Sequence, residues 1–299
     1  MNLTIATTLD EALAAVAAGA RPVAGGSDLV VGARQGKSPL PDSVVAIDRI
    51  TSLGGIEVSA GGVEIGTLVT HARLESDATI VGAYTALADA SALVGSPSTR
   101  NVGTLGGNVM NASPAMDTGA PLVVFGAEVE LRSATASRRV AIADLWTAPA
   151  RTSARADELC TMIHLPARPD GSGSAYVRLE YRRAMEIAVV GAAASVTLDG
   201  DGALSALSIA LTAVAPTIIS VAGTDALLGR PVDDSLLAEV AALASTSAVP
   251  ISDLRASDRY RRHCVGVMAR RAVDAAARRA RGESIAIPVN RSLGIGAAS

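Results

Sequence analysis

Two glycine pairs, Gly25-Gly26 and Gly106-Gly107, limit the fold of this chain more than any other feature of its sequence. Glycine lacks a Cβ, so its backbone reaches conformations closed to other residues and lets a second backbone or a ligand approach the peptide plane. The first pair lies in "PVAGGSDL", which runs through Pro22, Val23, Ala24, Gly25, Gly26, Ser27, Asp28 and Leu29. An apolar strand enters the pair, and Ser27-Asp28 is suited to cap a following helix. Several N–H groups then point to one side at a helix start, which favours an anion and most often phosphate. The competing reading is an ordinary β-turn with a helix cap.

The second pair lies in "NVGTLGGNVMNASPAMD", residues 101–117. Here Thr104, Leu105, Gly106, Gly107 and Asn108 again strip side chains from the backbone, and the Thr104 hydroxyl and Asn108 amide can bond a ligand. Asp117 follows nine residues after Asn108. Like charges repel, so a carboxylate beside a phosphate site suits a sugar hydroxyl pair instead. The competing reading is a long glycine-rich surface loop. "GARQGKS", residues 32–38, is one residue short of a P-loop, with Val31 where glycine is needed, and no G-x-G-x-x-G follows a strand. Two phosphate-cradling loops without either signature point to a dinucleotide held across two subdomains, its pyrophosphate between them.

At 299 residues the chain is long enough for two or three domains. It has one Phe and one Trp, so a binding site here leans on backbone and aliphatic contacts. The net charge of −3 gives no bulk attraction to nucleic acid. Cys160 and Cys264 fit no zinc or iron–sulfur spacing and suit a reducing compartment. The N-terminus lacks a basic n-region, and no apolar run reaches about 18–20 residues. A soluble, cytoplasmic chain is expected.

The hydrophobic pattern predicts an α+β fold. "TTLDEALAAVAAGA" reads as a helix capped by Thr7 or Thr8 and ended by Gly19. "RPVAG" and "SVVAIDRI" read as strands on either side of a short helix. "GIEVSAGGVEIGTLV" alternates and turns on Gly61-Gly62, a hairpin signal. "THARLESD" starts a helix at Thr70, and "AYTALADASALVG" reads as another. "APLVVFGAEVELRSATASRRVAIADL" reads as two strands around a polar turn, and "ELCTMIHLP" as a strand stopped by Pro166. Residues 167–175 are the best linker candidate, with Pro, Asp and Gly/Ser clustered. Three antiparallel strands and helices follow, then a loose tail.

In this order, "AGGSDL", "IGTLVTHARL", "GSPSTRNVGTLGGNVMNASPAMDTGAPL" and "YRRAMEIAVVGAAASVTL" resemble the FAD-binding medium subunit of molybdenum hydroxylases, the family of the carbon monoxide dehydrogenase medium subunit and the xanthine dehydrogenase flavin domain. The resemblance covers about residues 1–285. It implies a vanillyl-alcohol-oxidase-like FAD domain over residues 1–170, with subdomains of about 1–54 and 55–170. A small α/β C-terminal domain follows over 175–285, built on a three-stranded antiparallel sheet with helices, and then a tail over 286–299. Both glycine loops would wrap the FAD pyrophosphate. Asp117 falls where an acidic residue meets the ribose, Cys160 at a usual leucine lining the cofactor, and Arg178 where a basic residue approaches FAD. Val94 falls where some members place an aromatic. Ile187 falls where some members set a tyrosine against the flavin ring. The implied function is electron transfer: electrons from a partner's [2Fe–2S] clusters reach this FAD and leave to an external acceptor, while molybdenum-pterin sits on a separate large subunit. The alternative is a stand-alone FAD oxidoreductase of a small substrate.

The remaining singled-out residues carry plainer expectations. His71 is expected in a capping or surface role, His164 on the exposed face of its strand, and His263 on a solvated helix face. Cys264 is expected in the core, and Trp146 reads equally as core or as an interface anchor. The arginines of "RYRRHCVGVMARR" are expected on a solvated face or in a subunit contact.

Overall fold

The computed structural model describes residues 2–36 and 39–295. Lys37 and Ser38, which end the near-P-loop string, and the last four residues of the expected tail lie outside the described residues.

The chain opens on β1 (Asn2–Ile5), α1 (Leu9–Ala17), β2 (Arg21–Val23), α2 (Ser27–Arg34) and β3 (Ser43–Ala46). The strands form a parallel sheet in the order β1-β3-β2. Thr8 caps α1 in a capping box, with its side chain on the Glu11 N–H and the Glu11 carboxylate on the Thr8 N–H. The i, i+4 face of α1 buries Ala12 and Val16 against Val45 and Ile47, giving this unit its own core.

A larger unit follows: β4 (Ile56–Ser59), β5 (Gly62–Gly66), α3 (His71–Leu74), α4 (Ala78–Ala83), α5 (Thr85–Leu93), α6 (Pro97–Val102), α7 (Leu105–Asn111), α8 (Gly119–Val124), β6 (Glu128–Arg132), β7 (Ser137–Ala141), α9 (Ile142–Leu145), β8 (Trp146–Ala148), β9 (Arg151–Thr152) and β10 (Leu159–Pro166). Its antiparallel sheet runs β4-β5-β10-β6-β7. The hairpin expected from the alternation forms, but it turns at Ala60-Gly61, one residue before the expected pair, since Gly62 already pairs with Ser59. Two strands around a polar turn, β6 and β7, form as expected, but the opening "APLVV" is the helix α8, since a short apolar run fits either a buried strand or a buried helix. The stretch from Gly95 to Asn111 is not an open loop. Ser96 caps α6 with Pro97 in its first turn, and Thr104 caps α7.

The last unit holds β11 (Ser172–Leu179), β12 (Val190–Leu198), β13 (Leu204–Thr212), β14 (Ile219–Ser220), α10 (Asp234–Ser247), α11 (Asp258–Ala280) and α12 (Val289–Ser292). The sheet has four antiparallel strands rather than three, because the short β14 adds to the edge of β13. Its first strand begins inside the stretch read as a linker. Ala175, Val177, Ala192 and Ala194 face the core shared with α10 and α11, while Tyr176, Ala193 and Ala210 face the core of the preceding unit. A sheet buried on both faces explains why these strands read as nearly unbroken apolar runs.

The expected loose tail is docked. Val289 and Asn290 are buried, and Ile285 and Ile295 pack on the C-terminal core. The Asn290 amide bonds the backbone of Arg178 in both directions. Within the Arg-rich helix, Arg261 is buried, donating to the Val189 and Ala213 carbonyls and to Asp253, so that face is not uniformly solvated.

Candidate functional site

The two glycine pairs come together. Gly25-Gly26 leaves the carboxyl end of the parallel sheet, directly after β2. Gly26 takes φ +67° and is itself the N-cap of α2, which has no side-chain cap. Ser27 and Asp28 therefore lie inside the helix instead of capping it: a left-handed glycine already turns the chain into α2, and Leu29 follows within it. A Cβ on Gly25 would stand 1.8 Å from the Val102 carbonyl oxygen and 3.2 Å from the Gly103 nitrogen. The first loop thus rests on the backbone that leads into the second.

That second segment is fixed from behind. The Leu105 and Gly106 N–H groups donate to the Val69 and Thr67 carbonyls, and Thr70 bridges Thr104. Thr104 Oγ1 accepts from the Gly107 N–H at 3.1 Å. Asn108 Oδ1 accepts from the Thr118 hydroxyl at 2.6 Å, so a ligand oxygen would meet the amide NH2 group. The paired glycines divide their work. Gly106 is buried, and a Cβ there would lie 1.6 Å from Thr67 Oγ1. Gly107 is exposed, and the nearest atom to an added Cβ is Thr104 Oγ1 at 3.0 Å. Between the two loops runs an open groove of about 330 Å³, with Ala24, Gly25, Asp48, Thr70, Val102 and Thr104 in its walls.

Cys160 stands behind this platform, buried, with the Thr67 hydroxyl 3.6 Å from its sulfur. Burial pushes its thiol up to about 11, so it stays neutral. Ile187 is 46% exposed, on the β11–β12 connection with Tyr181 and Met185. That connection is tethered where the Met185 N–H donates to the Gly95 carbonyl at 2.9 Å.

Asp117 and Arg178 are placed otherwise than the resemblance implies. The Asp117 carboxylate accepts from the Tyr176 hydroxyl at 2.8 Å and from Arg178 Nη1 at 2.7 Å. Arg178 is fully buried and also grips Glu180, at 2.8 Å through Nε and 2.6 Å through Nη2. Neither side chain stands free toward a sugar; each is the other's partner, since a buried charge must be paired. Burial raises the Asp117 pKa, but its 2.7 Å contact with a guanidinium that does not deprotonate holds the pair ionised near neutral pH. A second buried carboxylate, Asp89, accepts from Arg279 and from the Tyr176 and Val289 N–H groups. These two knots tie the C-terminal sheet and the end of the chain to the middle unit.

Thr67, His71 and Asp48, which lie outside both glycine stretches, also belong to the platform. His71 is not a cap, since Thr70 caps α3. It is 1% exposed, its N–H donates to the Gly103 carbonyl, and its Nδ1 has no hydrogen-bond partner. Burial first, and the Arg100 charge second, push its pKa down to about 4. The folded pKa lies below the ordinary 6.5, so the unfolded chain takes up the proton first as pH falls. The stability tied to neutral His71 is therefore intact above pH 6.5 and lost progressively toward pH 4. Between pH 7.5 and 5 the wild-type chain should lose about 2 kcal/mol more than His71→Gln, read from urea unfolding at the two pH values. Equal losses would show that His71 is not the acid-sensitive group.

The other singled-out residues are structural. His164 is buried, not exposed: Glu64 covers it on the sheet face, 3.1 Å from Nδ1. Trp146 is core, its indole N–H donating to the Val109 carbonyl. Cys264 is in the C-terminal core, and His263 is exposed.

A sheet-based platform with two backbone-bare loops, followed by a helix-covered sheet domain, matches known families over most of the chain. Residues 1–168 match the FAD binding domain in molybdopterin dehydrogenase, and residues 175–276 match the CO dehydrogenase flavoprotein C-terminal domain. The chain belongs to this family of FAD-binding oxidoreductase subunits. Among its relatives is the carbon monoxide dehydrogenase medium chain of Afipia carboxidovorans, 34% identical over 88% of this chain and 90% of the relative. Another is the xanthine dehydrogenase FAD-binding subunit of Escherichia coli, 29% identical over 88% of this chain and 91% of that one. Among solved structures, reconstituted CO dehydrogenase from Oligotropha carboxidovorans superposes with a TM-score of 0.88 at 31% identity, covering 93% of this chain and 98% of that one. Quinoline 2-oxidoreductase from Pseudomonas putida gives 0.87 at 27% identity, covering 94% and 98%.

Proposed function

We propose that this chain is the FAD-binding, electron-transferring subunit of a multisubunit molybdenum hydroxylase. It takes electrons from the [2Fe–2S] clusters of a small partner subunit and passes them to an external acceptor, with molybdenum-pterin on a large partner subunit. The observation that carries the binding site is the close packing of Gly25 on the Val102–Gly103 backbone beside a groove that Gly25, Val102 and Thr104 line, with the outer face of Gly107 bare. FAD supplies the redox chemistry when bound. The chain's own residues grip and orient it. In this reading the Gly25–Leu29 backbone offers its N–H groups to the pyrophosphate, while in Thr104–Asn108, where the N–H groups from Leu105 to Asn108 are bonded within the protein, the Thr104 hydroxyl and the Asn108 NH2 group are the donors. Cys160 backs the platform through Thr67 without touching a charge, and Ile187 supplies an aliphatic surface for the ring. Residues 1–170 form the FAD domain in this proposal, and residues 175–285 close over its far side.

The composition fits this division of labour. Two cysteines are too few to ligate an iron–sulfur cluster. Among the described residues no group of three His, Cys, Asp or Glu side chains is placed to hold a metal, and no helix is long and apolar enough to cross a membrane. The free thiols of Cys160 and Cys264 agree with a cytoplasmic setting. The test is titration of the purified full chain with FAD, followed by mixing with reduced [2Fe–2S] partner subunit. Stoichiometric FAD uptake and bleaching of the flavin absorbance by the partner are expected. A chain that stays colourless with excess FAD, or a bound flavin that only a small organic substrate reduces, would overturn the proposal.

A further inference from the structure

We infer that Asp48, rather than Asp117, is the carboxylate that holds the hydroxyl pair of the adenosine ribose of FAD; this rests on the FAD reading above. Both oxygens of Asp117 are engaged, one by the Tyr176 hydroxyl and one by Arg178, and its side chain is only 9% exposed. Asp48 is the opposite case: it is exposed, and it lines the groove with Gly25, Thr70 and Thr104. Its position follows from the parallel sheet. The Ile47 N–H donates to the Val23 carbonyl at 3.0 Å as the last rung beside β2, and the Ile50 N–H donates back to the Ile47 carbonyl at 3.1 Å. Asp48 therefore stands just past the carboxyl end of β3, at the edge from which Gly25-Gly26 also leaves, where open parallel sheets take their ligands.

A carboxylate in the wall of a phosphate cradle is repelled by the phosphates and needs a donor. A vicinal diol offers two O–H donors, which a carboxylate can accept with both oxygens. The direction of the cofactor selects the ribose. Ile187 belongs to the β11–β12 connection of the last unit, whereas Asp48 belongs to the first, parallel unit. A flavin ring toward Ile187 leaves the adenosine half beside Asp48.

The test uses the full chain loaded with FAD and follows flavin fluorescence as ADP or 2′,3′-dideoxy-ADP displaces the cofactor. For wild type, loss of the two hydroxyls should weaken displacement more than 100-fold, as expected for two hydrogen bonds to a charged group. Asp48→Ala should weaken ADP by the same factor, leave dideoxy-ADP unchanged and keep the thermal midpoint, because the residue is exposed. The inference is overturned if Asp48→Ala weakens both nucleotides equally or neither. It is also overturned if wild type does not distinguish them, if ADP fails to compete, or if Asp117→Asn rather than Asp48→Ala abolishes the distinction. In each of those cases FAD still binds and the FAD reading survives. A wild-type chain that binds no FAD removes that reading, and this inference with it.

Discussion

Replacing Gly107 by valine should leave the chain folded and strip it of FAD. The protein itself leaves room for the change: the closest atom to an added Cβ is Thr104 Oγ1 at 3.0 Å, on an exposed turn of helix, so that hydroxyl need give only slightly. A bound pyrophosphate does not have that freedom, because it needs the bare backbone on this face. Displacing the pyrophosphate from the Thr104 hydroxyl and the Asn108 NH2 group, at about 1.5–3 kcal/mol each, would weaken FAD more than 100-fold. Gly107→Ala should fall between the two. Gly106→Ala is the contrasting case. Its Cβ would lie 1.6 Å from Thr67 Oγ1 and 2.9 Å from the Thr67 carbonyl oxygen, so the platform itself must shift. That variant should show a lowered thermal midpoint even without cofactor. The pair of results separates a glycine kept for the ligand from one kept for packing. Stoichiometric FAD in Gly107→Val would mean that the pyrophosphate lies elsewhere.

The second large effect is expected at Arg178. The change Arg178→Met leaves the side chains of Asp117 and Glu180, which are 9% and 3% exposed, without their shared cation. Breaking a buried ion pair from one side costs about 3–5 kcal/mol, which in a chain of this size lowers the thermal midpoint by about 10 °C. The loss should be cooperative between domains, because Tyr176 and Asn290 belong to the same network. Adding Asp117→Asn and Glu180→Gln to Arg178→Met removes the stranded charges and should recover much of the midpoint. No recovery would show that the packing of Arg178, not its charge, holds the joint.

These two sites also mark the border between what the sequence discloses and what it does not. The glycine pairs are legible because a bare backbone is a local property. The same holds for the Thr8 and Glu11 capping box and for the β4–β5 hairpin. The helices α6 and α7 were legible too, through a Ser-Pro start and a Thr three residues before Gly107, but the glycines around them favoured a loop. Asp117 is different in kind. Its partners lie 59 and 61 residues away, across a domain joint, and no local pattern separates a carboxylate that waits for a sugar from one that an arginine already holds. The tail fails to stand out for the same reason, since the Asn290 anchor is 112 residues from Arg178. Asp48 had a usable signal, an acidic residue at the end of the buried strand "SVVAI". It stands outside the glycine stretches, and nothing local links it to them.

The measurement that bears most directly on the site is the structure of this chain loaded with FAD. The pyrophosphate should lie between Gly25-Gly26 and the Thr104–Asn108 segment, within hydrogen-bond reach of backbone N–H groups of the first and of the Thr104 hydroxyl or Asn108 NH2 group of the second, with the outer face of Gly107 against it. A pyrophosphate that touches one segment alone, or that sits away from the groove, would contradict the account.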